Sequence, residues 1–243
     1  MAKKSTQKGS FLKRVWRFTK RLFLFAFISS FVYLLICRWL MPPITITQVS
    51  NSFSYGLKRD YVGWNDISYN AKLAAIASED QTFPDHWGFD IDAMKKSFNP
   101  KKKNRKTRIA LGGAASTISQ QTAKNVFLWQ GRGVLRYVRK GFEFYFTGLT
   151  ELLWNKKRIL EVYLNTIEMG PGIFGIEAAA QHYFHKHAKN LSREESAKII
   201  ACLPNPKKFS VFPESRRVAW RYPQILKEMN SIEGDKGVQA VIK

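Results

Sequence analysis

Residues 76–89 read IASEDQTFPDHWGF, and in this stretch two adjacent carboxylates come at the end of a helical pattern. Apolar residues recur with helical spacing before the acids, and Pro84 disfavours the helical conformation in the residue before it. The pattern therefore predicts a helix over residues 69–80 with Glu79 and Asp80 in its last turn. Carboxylates at that end oppose the helix macrodipole, so their pKa values should be raised, as suits a general base. A solvated helix end is the alternative interpretation.

The N-terminus predicts a membrane anchor. Eight basic residues and no acidic ones precede the uncharged run of sixteen residues from Leu22 to Cys37. Arg38 can snorkel and residues 39–41 extend the apolar length, which predicts a transmembrane helix over 22–41 after a basic tail over 1–21. No small-residue cleavage site follows, which favours an uncleaved signal anchor over a cleaved signal peptide. The positive-inside rule places the tail in the cytoplasm and the later residues outside the cytoplasmic membrane.

Composition and charge narrow the partners of the outer region. The chain has 243 residues, 45% hydrophobic and 14% aromatic, enough for one well-packed domain beside the anchor. Nine of the 40 Lys and Arg lie in residues 1–41, which leaves 31 against all 18 acidic residues and a formal charge of +13. Outside the cytoplasm such a domain more plausibly meets anionic lipid headgroups or a phosphorylated lipid than nucleic acid. Cys202 is the single cysteine after the anchor, which excludes a disulfide within this domain.

The outer region is predicted to be mainly α. A linker is expected over 42–63, where residues 44–47 alternate like a strand. Residues 101–108 carry six basic side chains, either as a solvated loop or as an attraction for an anionic membrane or substrate. Helices are predicted over 90–98, after Thr117, over 134–154, over 156–165, from Gly175, after Ser192 and from Arg216, with Pro223 near the first turns of the last. Capping boxes are predicted at Thr117 with Gln120 and at Ser192 with Glu195.

The helix after Thr117 carries a polar stripe. Thr117, Gln121 and Lys124 recur at i, i+4 and i+7. A hydroxyl, an amide and an ammonium beside a helix N-terminus can hold an oxyanion such as phosphate, although an ordinary surface helix gives the same pattern.

The predicted helix over 134–154 has two distinct sides. One side is an apolar seam expected to face the core, formed by Leu135, Val138, Phe142, Phe146, Leu149 and Leu153. The other gathers cations around one carboxylate, Glu143, namely Arg132, Arg136, Arg139 and Lys140. Those cations should keep Glu143 ionised, which leaves Glu79 as the better proton acceptor. A weak surface pair between Arg139 and Glu143 is the alternative. Three histidines, His182, His185 and His187, match no zinc spacing, and no metal site is predicted.

Four motifs in order resemble those of the monofunctional biosynthetic peptidoglycan transglycosylases of glycosyltransferase family 51. They are Glu79-Asp80-x-x-Phe83-x-x-His86-x-Gly88, then the segment from Gly113 to Asn125, then Arg139-Lys140-Gly-Phe-Glu143, then the segment from Lys157 to Asn165. The resemblance runs from about Trp64 to Met229. One departure is the longer spacing at Ala114-Ala115, which affects the alignment of Gly112 and Gly113.

The resemblance implies a lysozyme-like helical glycosyltransferase domain over 64–243 behind a single transmembrane helix. It implies an enzyme that polymerises lipid II into β-1,4 glycan strands with release of polyprenyl pyrophosphate. The donor is a lipid-linked glycan strand and the acceptor is the 4-hydroxyl of lipid II. The implied partners are these lipids, the membrane and other cell-wall synthesis proteins. No cofactor is implied as required, and Mg²⁺ or Mn²⁺ is a candidate stimulating ion.

The resemblance also assigns roles to residues. Glu79 is implied as the general base, and Glu143 as a second catalytic carboxylate that orients cations or a divalent ion. Asp80 lies about 100° around the helix from Glu79, so it is expected to orient its neighbours. The remaining residues implied around the substrate are Phe83, His86, Thr117, Gln121, Lys124, Asn125, Arg136, Arg139 and Lys140.

Two rival functions stay open at this point. A lysozyme-like hydrolase or lytic transglycosylase also uses a Glu on a helical fold, but it gains nothing from cations beside the second carboxylate. A membrane-tethered scaffold without catalysis is the other rival. A penicillin-binding transpeptidase is excluded, because the S-x-x-K pattern occurs only at Ser5 and Ser10 in the basic tail.

Overall fold

The computed structural model describes residues 5–98, 116–129 and 133–243. Internal contacts divide the chain into two compact units, Met1–Leu40 and Met41–Lys243. Across the described ranges the fold is mainly α with one small sheet, as predicted. The basic run over 101–108, together with Arg132, Gly112 and Gly113, lies outside the described residues.

The first unit contains one long helix, α1 (Ser5–Cys37). Its stretch Phe11–Cys37 is long and apolar enough to cross a membrane. The expected N-terminal apolar helix is therefore present. It begins well before Leu22, because nothing in the basic tail breaks a helix.

The second unit begins with structure that the sequence pattern misread. Residues 46–55 form helix α2 (Ile46–Tyr55), and the strand predicted over 44–47 is wrong. The reason is local: the Thr45 hydroxyl accepts from the Gln48 N–H at 3.2 Å, and the Gln48 side chain accepts from the Thr45 N–H at 3.1 Å. This capping box outweighs a short alternation. With strand β1 (Lys58–Arg59), the expected linker over 42–63 is instead part of the compact unit.

The other helices follow the predicted order. They are α3 (Tyr69–Glu79), α4 (Ile91–Phe98), α5 (Ile118–Phe127), α6 (Leu135–Leu153), α7 (Lys156–Thr166), α8 (Ile176–Phe184), α9 (Arg193–Ala201), α10 (Arg216–Ile232) and α11 (Lys236–Ile242). Both predicted capping boxes are present, and Pro223 lies inside α10. Helix α11 was not predicted.

Helix α3 is the centre of the unit. Seven consecutive residues, Ala71 to Ala77, are buried, and α3 packs against α7, α9, α10 and α11. A helix that is apolar around most of its circumference is stable only when it is surrounded in this way. Ser68 caps its start by accepting from the Ala71 N–H at 3.0 Å. The buried helix ends at Glu79, so the core itself fixes the position of this carboxylate.

A small sheet closes one side of the unit. Strand β3 (Ile173–Phe174) lies between β1, to which it is parallel, and β2 (Glu168–Gly170), to which it is antiparallel. Gly172 has a φ of +70°, and a Cβ there would lie 2.6 Å from the Gly56 carbonyl oxygen. Only glycine therefore permits this close approach of the β2–β3 turn to the end of α2.

The orientation of α6 differs from the prediction. Its buried residues are polar: Glu143, Thr147, Thr150 and Glu151. The apolar seam faces outward in its first half, where Leu135, Val138 and Phe142 are 59%, 49% and 48% exposed. The expectation that this seam faces the core is wrong there. The face turned toward the protein holds a charged site, so the apolar side chains are left outside.

Candidate active site

Glu79 is the last residue of α3, and a side chain from α5 holds its carboxylate. Gln121 Nε2 donates to Glu79 Oε2 at 2.9 Å, and the Tyr163 hydroxyl lies 3.4 Å from Gln121 Oε1. Burial raises the pKa of Glu79, while Gln121, Arg221 and Lys124 act in the opposite direction. The sequence predicted a raised pKa for Glu79, and that direction is confirmed. The main cause is burial and not the helix dipole. Glu79 is therefore suited to accept a proton.

Asp80 follows Glu79 but is used differently. It is 7% exposed, and its Oδ1 lies 3.0 Å from His86 Nε2. Its Oδ2 accepts from the Ile118 N–H, the first of α5, at 3.0 Å. A carboxylate at a helix N-terminus is favourable. Asp80 therefore ties the end of α3 to the start of α5, and its oxygens are engaged by protein groups.

Phe83 and His86 lie behind the carboxylates. The Phe83 ring is fully buried and packs under the Lys156 ammonium, whose Nζ is 4.6 Å from the ring centroid. Phe83 was grouped with the substrate-binding residues; that assignment stays a prediction, and in this structure the ring packs behind the carboxylates. His86 bonds to Asp80 through Nε2, and its Nδ1 is buried without a hydrogen-bond partner among the described residues.

The polar stripe of α5 is present, with divided tasks. Thr117 is buried as the helix cap, and its hydroxyl donates to the Gly88 carbonyl at 2.6 Å. Gly88 has a φ of +76°, and a Cβ there would lie 2.7 Å from Thr147 Cγ2, so this contact requires glycine. Gln121 reaches Glu79, and Lys124 lies one turn further on. Thr117 therefore stabilises the start of the helix, while Gln121 and Lys124 are the residues of the stripe that lie at the candidate site.

Cations surround Glu143 as predicted, but the pairing differs. Glu143 is 3% exposed and forms an ion pair with Lys140, one turn earlier in α6. The alternative interpretation, a surface pair between Arg139 and Glu143, is therefore wrong. Arg139 Nε is buried and has no hydrogen-bond partner in the described part of the chain. Arg136 is exposed, with its guanidinium 5.1 Å from the centroid of the Tyr137 ring, and lies one turn further out.

Lys124 connects the two carboxylates electrostatically. Burial lowers the pKa of Lys124, and Arg139 and Lys140 lower it further, while Glu143 and Glu79 raise it. Lys124 is therefore close enough to feel both acids and both cations. A desolvated ammonium beside a guanidinium with a free N–H favours an anionic ligand with several oxygens.

A cavity of about 580 Å³ opens beside this group. Gln121, Lys124 and Asn125 form one wall. The opposite wall comes from α2, from β2 and from residues 203–207. There Asn51 donates to Glu168 at 2.9 Å, Lys207 Nζ lies 3.9 Å from Glu168, and burial raises the Glu168 pKa.

Sequence reasoning missed this second wall. Residues 42–63 were interpreted as a linker, and no part of the site was assigned to residues 203–207, which include Pro204 and Pro206. The two lysines that follow this proline pair were the one available signal.

The described residues do not assemble a metal cage. No group of three or more His, Cys, Asp and Glu side chains with ligand geometry occurs among residues 5–98, 116–129 and 133–243. Glu143, the candidate to hold a divalent ion, is already bonded to Lys140. His187 bonds to Glu177 at 2.8 Å, so it serves local structure.

Comparison with known proteins gives a single family. The family profile described as Transglycosylase matches residues 46–230. A biosynthetic peptidoglycan transglycosylase of Pseudomonas syringae pv. tomato is 43% identical over 232 residues, which cover 93% of this chain and 94% of that protein. A protein with the same description from Yersinia pseudotuberculosis is 42% identical over 243 residues, with 97% of each chain covered.

Proposed function

This chain belongs to the transglycosylase family, and from that premise we infer that it polymerises lipid II into β-1,4 glycan strands for the cell wall. The observation that carries the inference is a pair of carboxylates, one held by Gln121 and one paired with Lys140, which both act electrostatically on Lys124. Glu79 lies in a buried, pKa-raising position, and Glu143 lies in a group of cations. Transfer of a glycan from a pyrophosphate needs both a base and a site for the leaving group.

Glu79 acts on the acceptor. Its Oε1 or Oε2 takes the proton from the 4-hydroxyl of lipid II while that oxygen attacks the anomeric carbon of the donor. The new C–O bond forms as the bond from that carbon to the pyrophosphate breaks. Gln121, which donates to Glu79 Oε2 at 2.9 Å, holds the carboxylate in place. Burial raises the pKa of Glu79 and so brings it closer to the working pH. A general base is most effective when its pKa lies near that pH.

The cations act on the leaving group. Lys124, Arg139 and Lys140 supply positive charge where the departing pyrophosphate accumulates negative charge. A buried guanidinium N–H without a partner, that of Arg139, is available for a phosphate oxygen. Glu143 cannot itself bind the anion, but it fixes Lys140 through their ion pair. Thr117, Gln121 and Asn125 support or contact the oxygens of sugar and phosphate.

This charge distribution separates the transferase from a glycan hydrolase. A hydrolase that acts on a neutral strand needs two carboxylates and a water, but no anion site. The concentration of Lys124, Arg139 and Lys140 beside Glu143 supports a charged leaving group. Glu143 is engaged by Lys140, and Mg²⁺ or Mn²⁺ stays a candidate stimulating ion.

We also propose the placement of the enzyme. The stretch Phe11–Cys37 would anchor it in the cytoplasmic membrane, with the basic N-terminus inside and the catalytic unit outside. The lipid-linked substrates lie in the same membrane. The outward apolar residues of α6, Leu135, Val138 and Phe142, support contact with that surface. Other cell-wall synthesis proteins are proposed as further partners.

The test is incubation of the detergent-solubilised protein with lipid II. Glycan polymer should form, and a phosphoglycolipid that mimics the lipid-linked donor should inhibit it. Glu79→Gln should keep the fold and inhibitor binding but lose activity by about 100- to 10,000-fold, because Gln preserves shape and cannot accept a proton. Shortening of preformed glycan without polymer would support the hydrolase. Activity of Glu79→Gln above a tenth of wild type would remove Glu79 as the base.

A further inference from the structure

Arg221 is a charged residue on a helix face that packs against the core. Helix α10 packs against α3, and its buried residues there are Val218, Ile225 and Met229. Arg221 follows Val218 by three positions and precedes Ile225 by four, so it shares their face. Its side chain is only 16% exposed. Neither the sequence motifs nor the reaction described above uses it.

The guanidinium of Arg221 is fixed by two partners. Its Nη1 and Nη2 donate to the two carboxylate oxygens of Glu228 at 2.7 and 2.8 Å. Its Nη2 also donates to Ser78 Oγ at 3.3 Å. A planar fork held at two points has little freedom to rotate. Ser78 immediately precedes Glu79, so α10 is tied to the last turn of α3 beside the base.

The positive charge of Arg221 reaches Glu79. It opposes the effect of burial on the Glu79 pKa, as does Lys124 on α5, while Asp80 reinforces it. Two neutral acids also face Glu79, Tyr163 from α7 and Cys202 after α9, and burial keeps both protonated by raising their pKa values. Arg221 and Lys124 are therefore the cations that keep a buried carboxylate available as a base.

We propose that Arg221, fixed by Glu228, is a positioning residue that holds the Ser78 end of α3 and places a positive charge behind the Glu79 carboxylate. The inference rests on the proposed role of Glu79 as general base. A direct ion pair would make Glu79 a weak base, since a contacting opposite charge strongly favours the ionised form. Arg221 is bonded to Glu228, which partly neutralises its charge, so Arg221 acts on Glu79 without contacting the carboxylate. Arg221 thus offsets part of the effect of burial on the Glu79 pKa without pairing with the carboxylate.

The experiment measures kcat/KM for lipid II polymerisation against pH in Arg221 and Glu228 variants of the full chain. Arg221→Gln removes a cation and should raise the pKa of Glu79. The acidic limb of the pH profile of kcat/KM should therefore move to higher pH by about 0.5 to 1 unit. Arg221→Lys should recover part of this shift. Glu228→Gln removes the neutralising anion, so its limb should move to lower pH. Opposite shifts are not expected from two residues that only stabilise the fold.

Arg193→Gln is the matched control. Arg193 donates through Nη1 and Nη2 to Glu233, the residue after α10, at 3.0 and 3.1 Å, and it is not among the groups that shift the Glu79 pKa. Its acidic limb should stay at the wild-type position. An unmoved limb in Arg221→Gln, or an equal shift in Arg193→Gln, would overturn the proposal.

Two further outcomes are separable. If Arg221→Gln does not fold, Glu228→Gln decides: a limb at lower pH supports the proposal, and an unmoved limb overturns it. If Glu79→Gln stays active, the assignment of the base fails, and the Arg221 inference fails with it. If Glu79→Gln is inactive and the Arg221 limb does not move, only the Arg221 inference fails.

Discussion

Glu79 and Glu143 are the same residue type in opposite surroundings. Glu79 ends a buried helix and is bonded to a neutral amide, so its negative charge is costly. Glu143 is the more enclosed of the two, at 3% exposed, but the Lys140 ammonium neutralises it directly. This difference supports the proposal that the two carboxylates take different parts in one reaction. Lys124 interacts electrostatically with both carboxylates, and it therefore couples the two parts of the site.

The pH dependence of stability should reveal the buried state of Glu79. Its pKa in the folded protein is raised above the ordinary value of 4.5, so the unfolded chain releases this proton at lower pH than the folded one. The carboxyl therefore stabilises the fold less as pH rises from 4.5 through the raised pKa. Glu79→Gln, which has no such proton, should gain in free energy of unfolding relative to wild type over that window. Urea denaturation at several pH values measures the difference, and a constant difference would contradict it.

Arg139 should matter for the leaving group although it does not pair with Glu143. Arg139→Ala removes a half-buried side chain whose Nε–H is available to phosphate, at a cost of ~1.5 to 3 kcal/mol, or about 10- to 150-fold in kcat/KM. Arg139→Lys should recover only part, because lysine lacks the planar fork. Polymerisation and phosphoglycolipid binding are the readouts. Arg216→Ala, at an exposed position that starts α10, is the control. If Arg139→Ala left both readouts at the wild-type level, Arg139 would belong to an ordinary surface.

At the scale of elements, the site is where α3, α5 and α6 meet. The start of α5 is fixed by Thr117, which caps the helix and bonds to Gly88, and by Asp80, which accepts from the Ile118 N–H. These contacts place Gln121 against Glu79. The polar inner face of α6 then brings Lys140 and Glu143 to the same place.

Asp80→Asn tests the connection between the end of α3 and the start of α5. Asp80 bonds to His86 and to the N-terminus of α5, and both bonds are stronger to a charged oxygen. The substitution should lower the free energy of unfolding by about 1.5 to 3 kcal/mol and weaken activity through misplacement of Gln121. Asp235→Asn is the matched control, since Asp235 caps α11 at 2.9 Å and Asn caps nearly as well. Equal losses in both variants, measured by urea denaturation, would show that Asp80 is only an ordinary cap.

Helix order and caps were predictable because they depend on local signals. Pro84 signalled the end of α3, which comes at Glu79 with Asp80 just outside the helix, and Thr117 with Gln120 marked the start of α5. The packing direction of α6 was not predictable, because periodicity identifies an apolar side but not which side meets the protein. Here the inward side is polar because it holds Glu143. The pairing of Glu143 with Lys140, in place of Arg139, also depends on side-chain positions that spacing leaves open.

At the scale of the molecule, the second wall of the cavity shows a further limit of the sequence. Glu168 and Asn51 are more than a hundred positions apart, and they meet because the β2–β3 turn packs against the end of α2 at Gly172. Such a contact carries no local signal. The site residues that were predicted lie in motifs, whereas the far wall was found only through the fold.

The two compact units have separable tasks, which a truncation tests. Deletion of residues 1–40 should leave a folded catalytic unit, because the buried helix α3 and the helices around it lie after Met41. Activity on lipid II in detergent should therefore persist. Activity on lipid II in bilayers should fall, because tethering raises the concentration of enzyme at the membrane. Attraction between the basic unit and anionic lipid should preserve part of the activity at low salt and little at 0.5 M salt. At 0.5 M the screening length of surface charges is about one-half of its physiological value.

The comparison needs three measurements on each protein: thermal unfolding, flotation with vesicles that contain anionic lipid, and polymerisation in those vesicles. The full chain should float and polymerise at both salt concentrations. The truncated chain should unfold at a similar temperature, float only at low salt and lose most bilayer activity at high salt. Equal bilayer activity of the two proteins at high salt would contradict the anchoring role, since electrostatic attraction is then too short in range to replace a covalent tether.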